Sequence, residues 1–455
     1  MTAPQVRPID RWFVGLEKRG VFADPTSREG RNFVYRRSTA GASLQRDLLV
    51  PAWIESARPG AGDPQPARPD QSAIRPGNAF GTGPDARTSV MKIAFYNFLG
   101  GTAFAGAMLA VCSTPAAAQE ARNVILFLGD AGGLSTLGAA GILAHDRPQS
   151  LFIQSMPNVA LSDTSALDRW VTDSAAGMTA IMTGNKTNNA MVSTTPFGPG
   201  GRAMPVKTLL EYAEQRGLST GVVTNMNIWD ATPAATFAHV AARADKGEIF
   251  RQMLKPRFGD GVDILIGKGR ADAVATFAGP GTSAEQAFRT AGYRFGEDPA
   301  LVGQAPRTAV LRDADFAPLP AVEATVAQLA RNPKGYFLMV EWDMHTDDPK
   351  AGLRHVVEMD DMIRRISAVA GKDTLILFTA DHSFGLRMTG GKRTTPLATQ
   401  YDPDAKSVIS VEPGHTGEEV VVAASGPGAD KVRGFMPNTR LFDIMLSAFG
   451  WKKDK

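Results

Sequence analysis

The sequence is poor in cysteine, because Cys112 is the only one among its 455 residues. A lone cysteine leaves no intramolecular disulfide and excludes a zinc site built from several thiolates. Any metal site in this chain must therefore use histidine and carboxylate side chains, and the chain has only six histidines. The remaining composition, with 43% hydrophobic and 21% charged residues, is typical of a globular protein that buries a core.

The chain also lacks the concentrated positive charge that nucleic-acid binding requires. Its formal net charge is +3, of which residues 1–90 contribute +4 and Lys92 adds one more, so the rest of the chain carries −2. The basic isoelectric point therefore comes from the N-terminal segments. We expect no nucleic-acid partner.

Two N-terminal segments differ from the rest of the chain. Residues 1–90 include a stretch at 56–90 that is rich in Pro, Gly, Ala and Arg, which predicts a disordered extension or a misassigned start. Residues 91–118 resemble a secretory signal peptide, with a positive residue after Met91, an apolar run and an Ala-x-Ala cleavage site. We expect translation to begin at Met91, and a periplasmic or secreted protein without stable membrane association after cleavage. The alternative is that the apolar run at 93–111 remains as an anchor, since its length spans a bilayer marginally.

From residue 119 onward, short apolar runs alternate with segments of helical periodicity. The strand candidates are residues 124–128, 221–225, 263–266, 336–341, 374–379 and 419–424. Several are continuous Val, Ile, Leu and Phe runs, typical of strands covered on both faces. Residues 350–369 repeat apolar positions every three or four residues, as an amphipathic helix does. We predict one α/β domain over residues 119–455, a three-layer sandwich around a largely parallel central sheet. Residues 270–320 are weakly patterned, and we expect them to cover the site rather than to extend the sheet.

Polar side chains follow several of these strands at the point where each strand ends. Asp130 follows the first strand, Asp230 lies shortly after the second, and Glu341 ends the fourth. Asp381 and His382 follow the fifth. Because binding crevices of parallel sheets lie beyond the carboxyl ends of the strands, we expect these side chains to meet.

Ser174 lies in a run of small residues, Asp-Ser-Ala-Ala-Gly-Met-Thr, where a helix is predicted to begin. A hydroxyl at that position is next to unpaired backbone N–H groups and the positive end of the helix dipole, an arrangement that suits phosphate. Serine is a poor nucleophile unless a base or a metal removes its proton. The sequence therefore predicts that an activator lies near Ser174.

Three of the six histidines lie in polar or glycine-containing contexts next to predicted strands or turns: His345, His382 and His415. Imidazole and carboxylate ligands without thiolates are the chemistry of catalytic zinc, and two such clusters would form a two-metal site. The other three are expected to be structural: His145 in a loop, His239 as a packed or capping residue, and His355 on a helix surface.

Together these motifs resemble the alkaline phosphatases that use a metal-bound serine. The resemblance runs in the family's order through Phe-Leu-Gly-Asp130, the Ser174 run, the segment from Asp230 to Arg243, Thr-Ala-Asp381-His and His415-Thr-Gly. It covers nearly all of residues 120–455 and implies that family's fold, two zinc ions and one magnesium ion.

The resemblance also implies a ligand set for each metal. The zinc that binds Ser174 would have these ligands: Asp130, Asp381 and His382. The second zinc would have these: Asp343, His345 and His415. The magnesium would share Asp130 and bind Thr232 and Glu341, with Asp230 as a neighbouring carboxylate that supports the site.

For the reaction, the resemblance implies that Ser174 attacks phosphorus as a zinc-bound alkoxide and forms a phosphoserine. The second zinc would stabilise the leaving oxygen and activate the water that hydrolyses this intermediate. Arg243 would bind two phosphate oxygens in a fork, and Asp173 would orient it. The expected substrates are small phosphomonoesters of broad range, with inorganic phosphate as product.

Two positions depart from the family's pattern. Only Met344 separates Asp343 from His345, where the family has three residues, so these two ligands must follow a different backbone path. Asp347 is a further candidate that would take part there. Ala131 replaces the usual glycine after Asp130, and we expect this to be tolerated.

The main alternative is a phosphodiesterase or nucleotide pyrophosphatase on the same two-metal scaffold. Such an enzyme needs a pocket for a second esterifying group in place of Arg243, so the arginine disfavours it. A sulfatase would need a Cys or Ser within a Pro- and Arg-containing motif, which the Ser174 segment does not provide. A protein that only binds phosphate or stores metal would not need a nucleophilic serine at a helix start. The family is often dimeric, which leaves a homodimer open.

Overall fold

The computed structural model describes residues 119–393 and 408–454. The predicted extension at 1–90 and the predicted signal peptide at 91–118 lie outside these residues. The helices are α1 (Leu134–His145), α2 (Ser174–Thr183), α3 (Leu209–Gln215), α4 (Ala231–Phe237), α5 (Lys246–Leu254), α6 (Arg270–Phe277), α7 (Ala284–Thr290), α8 (Pro318–Leu329), α9 (Pro349–Val369) and α10 (Thr439–Ala448). Short 3-10 turns occupy Ile153–Ser155, Pro199–Gly201, Pro299–Leu301 and Ala429–Lys431.

The strands form one large sheet and two small ones. Their bounds are β1 (Asn123–Asp130), β2 (Asn158–Asp163), β3 (Thr194–Thr195), β4 (Met204–Pro205), β5 (Ser219–Asn227), β6 (Ile264–Lys268), β7 (Arg294–Gly296), β8 (Thr308–Arg312), β9 (Tyr336–Asp343), β10 (Thr374–Thr379), β11 (Ser383–Met388), β12 (Ile409–Thr416), β13 (Val420–Ser425) and β14 (Gly434–Pro437). The large sheet has ten strands in the order β14-β2-β13-β10-β1-β9-β5-β6-β8-β7. Neighbouring strands are parallel throughout, except that β13 is antiparallel to both β10 and β2.

The central strand β1 explains why the sheet carries helices on both faces. All eight of its residues are buried, and successive side chains of a strand point to opposite faces. Leu126 packs into a cluster with α2 to α5 and α10, whereas Phe127 packs into a second cluster with α1, α8 and α9. The molecule is therefore a three-layer α/β sandwich around a largely parallel sheet, as predicted.

The predicted strands all occur, with bounds extended or shifted by up to two residues. The predicted helix at 350–369 is α9, whose buried face includes Val356, Met359 and Ile363. The expectation for residues 270–320 was wrong, because β7 and β8 lie in this region and extend the large sheet beyond β6. Within the described parts of the chain, no helix is both long and apolar enough to cross a bilayer.

Candidate active site

Four neighbouring strands of the large sheet bring the predicted acidic residues together at one edge. In the register of β1 and β9, Asp130 lies beside Asp343, and Leu128 lies beside Glu341. Strand β5 pairs with the other side of β9 and places Thr224 beside Glu341. The loop that carries Asp381 and His382 begins at the end of β10, next to β1. The site thus lies beyond the carboxyl ends of the strands, where a parallel sheet is expected to bind its ligands.

Ser174 is the first residue of α2, as predicted, and only 3% of it is exposed. Asp173 caps this helix, since its Oδ1 accepts a hydrogen bond from the N–H of Ala176 at 3.0 Å. The helix closely approaches the loop of Asp381 and His382 at Gly177, where an added Cβ would lie 2.7 Å from the carbonyl oxygen of Asp381. A side chain at this position would push the start of α2 away from Asp381.

The three predicted metal-binding histidines share one orientation. Each places Nδ1 against an oxygen, at 2.8 Å for His345 (Asp343 Oδ1), 3.1 Å for His382 (the Ser383 carbonyl) and 3.0 Å for His415 (the Thr172 carbonyl). A carbonyl oxygen can only accept, so Nδ1 of the last two carries the proton and Nε2 is left as a lone-pair donor. This is the usual arrangement of imidazoles that bind metal ions.

The Nε2 atoms of these histidines converge near the nucleophile. Nε2 of His382 lies 3.2 Å from Oγ of Ser174, and the rings of His382 and His415 stack with centroids 3.6 Å apart. His415 reaches this position because β12 folds back on β11 and pairs His415 with Phe384. Nε2 of His345 lies 3.4 Å from Nε2 of His415. The structure therefore brings together all three histidines and Ser174.

Two groups of side chains in the described residues have the spacing of a metal site. One comprises Asp130, Asp381 and His382, which is the predicted set beside Ser174. The other comprises His345, His382 and His415, so His382 is within reach of both groups. Asp343, predicted as a ligand of the second zinc, contacts His345 through Oδ1.

The side chains of the first group have buried oxygen atoms that suit a cation. Oδ1 of Asp381 accepts from the backbone N–H groups of Ala131 and His382, but its Oδ2 is buried and has no hydrogen bond. Oδ1 of Asp130 is 3.2 Å from Nε2 of His382 and also forms no hydrogen bond. The hydroxyl of Thr232, on α4, is likewise buried without a partner. Because unpaired buried oxygens are costly, these residues fit hard or borderline divalent cations well.

Electrostatics in the site lead to the same conclusion. Burial raises the pKa of Asp381 to about 6, and the charge of Asp130 adds to this effect. Burial also raises the pKa of Glu341 well above its usual range, again with a contribution from Asp130. Burial and the neighbouring His382 lower the pKa of His415 to about 4. The buried carboxyl groups of Asp130, Asp381 and Glu341 therefore repel one another when they are ionised, and bound cations would relieve this repulsion.

Arg243 is held next to the nucleophile by two carboxylates. Its Nη1 donates to Oδ2 of Asp173 at 3.2 Å, and its Nη2 donates to Oδ1 of Asp230 at 2.7 Å. Burial lowers the pKa of Arg243, but the charges and hydrogen bonds of Asp230 and Asp173 outweigh it and raise the pKa above its usual value. Asp173 thus links the arginine to the start of the helix that carries Ser174, as the predicted orienting role requires.

The remaining three histidines belong to neither of the two groups of side chains with metal-site spacing. His145 ends α1 and is exposed, and His239 is packed, with Nε2 2.8 Å from Glu211 Oε1. His355, expected on a helix surface, is half-buried, and its Nδ1 lies 2.6 Å from the carbonyl oxygen of Asp343. It therefore supports the segment that carries a predicted ligand.

The two departures from the family's pattern have structural counterparts. Asp347 is exposed, and the segment between Asp343 and His345 is short enough that the two side chains contact each other at 2.8 Å. Ala131 adopts a left-handed backbone conformation with φ of 66°, which glycine adopts without strain. The substitution is accommodated here at some cost in backbone energy.

Two residues support the site through partners that the sequence did not predict. The hydroxyl of Thr224 donates to Oε2 of Glu341, and Oδ1 of Asn225 accepts from the backbone N–H of Asp343 at 2.8 Å. Both lie near the end of β5, so their position after an apolar run was a signal. Their partners on β9 could be named only once the order of the strands was known.

Comparison with known proteins identifies the family of the chain. The family model described as alkaline phosphatase matches residues 121–291 and 309–410. The chain belongs to the alkaline phosphatase family. It is 30% identical over 442 residues to the streptomycin-6-phosphate phosphatase of Streptomyces griseus, covering 77% of this chain and 97% of that protein. It is 28% identical over 424 residues to the alkaline phosphatase of Escherichia coli K12, covering 73% and 87% of the two chains.

Solved structures of alkaline phosphatases have the same fold. The enzyme of the Antarctic bacterium TAB5 is 22% identical, with a TM-score of 0.61 over 74% of this chain and 100% of that one. The Thermus thermophilus enzyme is 20% identical, with a TM-score of 0.63 over 74% and 93% of the two chains. A mutant of the TAB5 enzyme has been solved with Mg bound in its M3 site. These likenesses establish the alkaline phosphatase fold for this chain.

Proposed function

We propose that this phosphatase hydrolyses phosphomonoesters of broad range through a phosphoserine formed on Ser174. The observation that carries the proposal is the position of the Ser174 hydroxyl. It lies at the N-terminus of α2 and 3.2 Å from Nε2 of His382, which belongs to both candidate metal-binding groups. Arg243, linked to Ser174 through Asp173, supplies positive charge and a forked donor for the phosphoryl oxygens.

The ligand sets that would hold the proposed two zinc ions and one magnesium ion are those inferred from the sequence. The first zinc would be held by Asp130, Asp381 and His382. The second would be held by Asp343, His345 and His415. The magnesium would be held by Asp130, Thr232 and Glu341. When bound, such cations supply Lewis-acid charge, which lowers the pKa of a nearby hydroxyl or water and stabilises a leaving oxygen.

The residues of the chain perform the rest of the reaction. Asp173 fixes the first turn of α2 and, with Asp230, the guanidinium of Arg243, so that nucleophile and phosphate are oriented together. Oγ of Ser174 forms a bond to phosphorus as the bond from phosphorus to the ester oxygen breaks, and the leaving alcohol takes up a proton. Water then attacks the phosphoserine, releases inorganic phosphate and restores the serine hydroxyl.

The proposal is tested with p-nitrophenyl phosphate and its bis-ester, using enzyme of known metal content. We expect hydrolysis of the monoester, loss of activity on chelation and recovery with zinc. Ser174→Ala should abolish turnover and leave metal content largely unchanged, because the variant keeps all the carboxylate and histidine ligands proposed for the metals. A preference for the bis-ester would favour the phosphodiesterase alternative. A variant that keeps most of the rate would overturn the covalent mechanism.

We also propose that the enzyme works in the periplasm or outside the cell, after removal of residues 91–118. Support comes from the signal-peptide pattern of that segment. N-terminal sequencing of the protein from its native host tests this. A mature N-terminus near residue 119 is expected, and peptides from residues 1–90 would contradict the proposed start at Met91.

A further inference from the structure

An apolar group of side chains is exposed directly before the nucleophile. Trp170 is 89% exposed, and its neighbours Leu167 and Val171 are 43% and 38% exposed. Single exposed apolar residues are common on proteins, but three within five positions, one of them a nearly bare tryptophan, are not. Among the described residues, no hydrogen bond or ring contact involves the indole of Trp170. The indole is therefore exposed to solvent, with no such contact to another described residue.

The backbone that carries Trp170 is fixed to the candidate active site. The carbonyl oxygen of Thr172 lies 3.0 Å from Nδ1 of His415, and the carbonyl oxygen of Val171 accepts from the side chain of Asn189. On its other side the segment touches Gly417, where an added Cβ would lie 3.4 Å from the Trp170 carbonyl oxygen. The backbone of Trp170 thus lies two residues from the carbonyl that contacts His415, next to Gly417 and four residues from Ser174.

The His415 end is the side from which the leaving group is expected to depart. Under the proposed function, Ser174 attacks phosphorus in line, so the ester oxygen lies opposite the Ser174 hydroxyl. His382 lies against Ser174, the ring of His415 stacks on His382, and Nε2 of His345 lies 3.4 Å from Nε2 of His415. An alcohol or phenol that leaves toward His345 and His415 would pass near Trp170 and Val171, whose segment contacts Gly417, two residues after His415.

We propose that Trp170 is a specificity-determining residue, which stacks on a planar aromatic group of the leaving alcohol and favours aryl or nucleoside phosphomonoesters. This inference rests on the proposed phosphomonoesterase function. An exposed indole offers a large apolar face that needs no ordering of a flexible side chain, and aromatic pairs gain energy beyond area burial. The phosphoryl group is bound elsewhere, by Arg243 and the metal ligands, so the contribution of Trp170 should depend only on the leaving group.

The test compares Trp170→Ala with the wild-type enzyme on p-nitrophenyl phosphate, adenosine 5′-monophosphate and glycerol 3-phosphate. We expect kcat/KM to fall about threefold to tenfold on the aromatic substrates, mainly through KM, and to stay unchanged on glycerol 3-phosphate. A loss with only one aromatic substrate supports the proposal and identifies which ring is recognised. Trp170→Phe should restore most of the lost selectivity, and the inhibition constant of inorganic phosphate should be the same in all variants.

Phe435→Ala is the matched control, because Phe435 is also an exposed aromatic residue, with 77% of it accessible. It lies on β14, four strands from β1, and so about 19 Å from β1 across the sheet. It should leave all three substrates unaffected. Three results with Trp170→Ala would overturn the proposal. They are an equal loss of kcat/KM on all substrates, no loss on either aromatic substrate, and a change of oligomeric state that accounts for the loss. Failure of the wild-type enzyme to hydrolyse any of the three esters would instead contradict the proposed function itself.

Discussion

Replacement of Arg243 tests phosphate binding most clearly, because it leaves the nucleophile Ser174 in place. Its guanidinium lies between two carboxylates, at 3.2 Å from Asp173 and 2.7 Å from Asp230. Arg243→Ala removes the proposed forked contact to phosphate and also leaves these two carboxylates facing an anionic ligand without a counter-charge. Both effects should weaken binding of substrate and of inorganic phosphate.

The size of the effect follows from the contacts that are lost. A hydrogen bond to a charged group contributes about 1.5–3 kcal/mol, and each 1.4 kcal/mol corresponds to about a factor of ten. Loss of two such bonds predicts an increase of about a hundredfold or more in the inhibition constant of inorganic phosphate. Arg243→Lys keeps the charge but not the fork, and should raise this constant about tenfold.

The assay is competitive inhibition of monoester hydrolysis by inorganic phosphate, with KM and kcat measured for each variant. Asp230→Asn in the Arg243→Ala background provides a further check, since asparagine still caps α4 but removes one repelling charge. This double variant should recover about threefold to tenfold of the lost phosphate affinity. An unchanged inhibition constant in Arg243→Ala would refute the role of this arginine in phosphate binding.

Two further predictions concern residues outside the reacting groups. Burial raises the pKa of Glu214 from 4.5 to about 7, and the charge of Asp263 adds to this effect. The folded state therefore binds the proton of Glu214 more tightly than the unfolded state does. As a result, the free energy of unfolding falls as the pH rises from 4.5 to about 7. Glu214→Gln should therefore raise the free energy of unfolding by about 1–3 kcal/mol near pH 8 and by little near pH 4. Denaturant titration at both pH values measures this, and an equal difference between variant and wild type at the two pH values would contradict it. His355→Leu removes the 2.6 Å contact to the Asp343 carbonyl and should weaken zinc binding about tenfold to a hundredfold in chelator competition. His145→Leu, at an exposed histidine, is the control, and equal zinc affinity in the two variants would show that His355 has no such role.

Much of the site could be predicted from the sequence, because its residues have strong local signals. Asp130 and Glu341 lie at the ends of continuous apolar strands, and Ser174 lies where small residues begin a helix. The rule that parallel sheets bind ligands beyond their carboxyl ends then placed these residues at one edge. The resemblance to alkaline phosphatases added the roles of Thr232 and Arg243, which local patterns do not reveal.

Other features depend on pairings between distant segments. Strand β8 was missed because its short apolar run lies in an Ala-, Gly- and Pro-rich region, and it is stabilised by pairing with β6 and β7. The position of His415 depends on the hairpin of β11 and β12, and the bond from Thr224 to Glu341 joins residues 117 positions apart. Local periodicity contains no information on such contacts.

The central claim is that the Ser174 hydroxyl attacks phosphorus and carries the phosphoryl group between substrate and water. It is tested most directly by mixing the metal-replete enzyme with a phosphomonoester, quenching in acid and mapping the phosphorylated peptide by mass spectrometry. The account predicts a phosphoryl group on Ser174 in the wild-type enzyme and none in Ser174→Ala. A phosphoryl group on another residue, or rapid turnover by the Ser174→Ala enzyme, would contradict it.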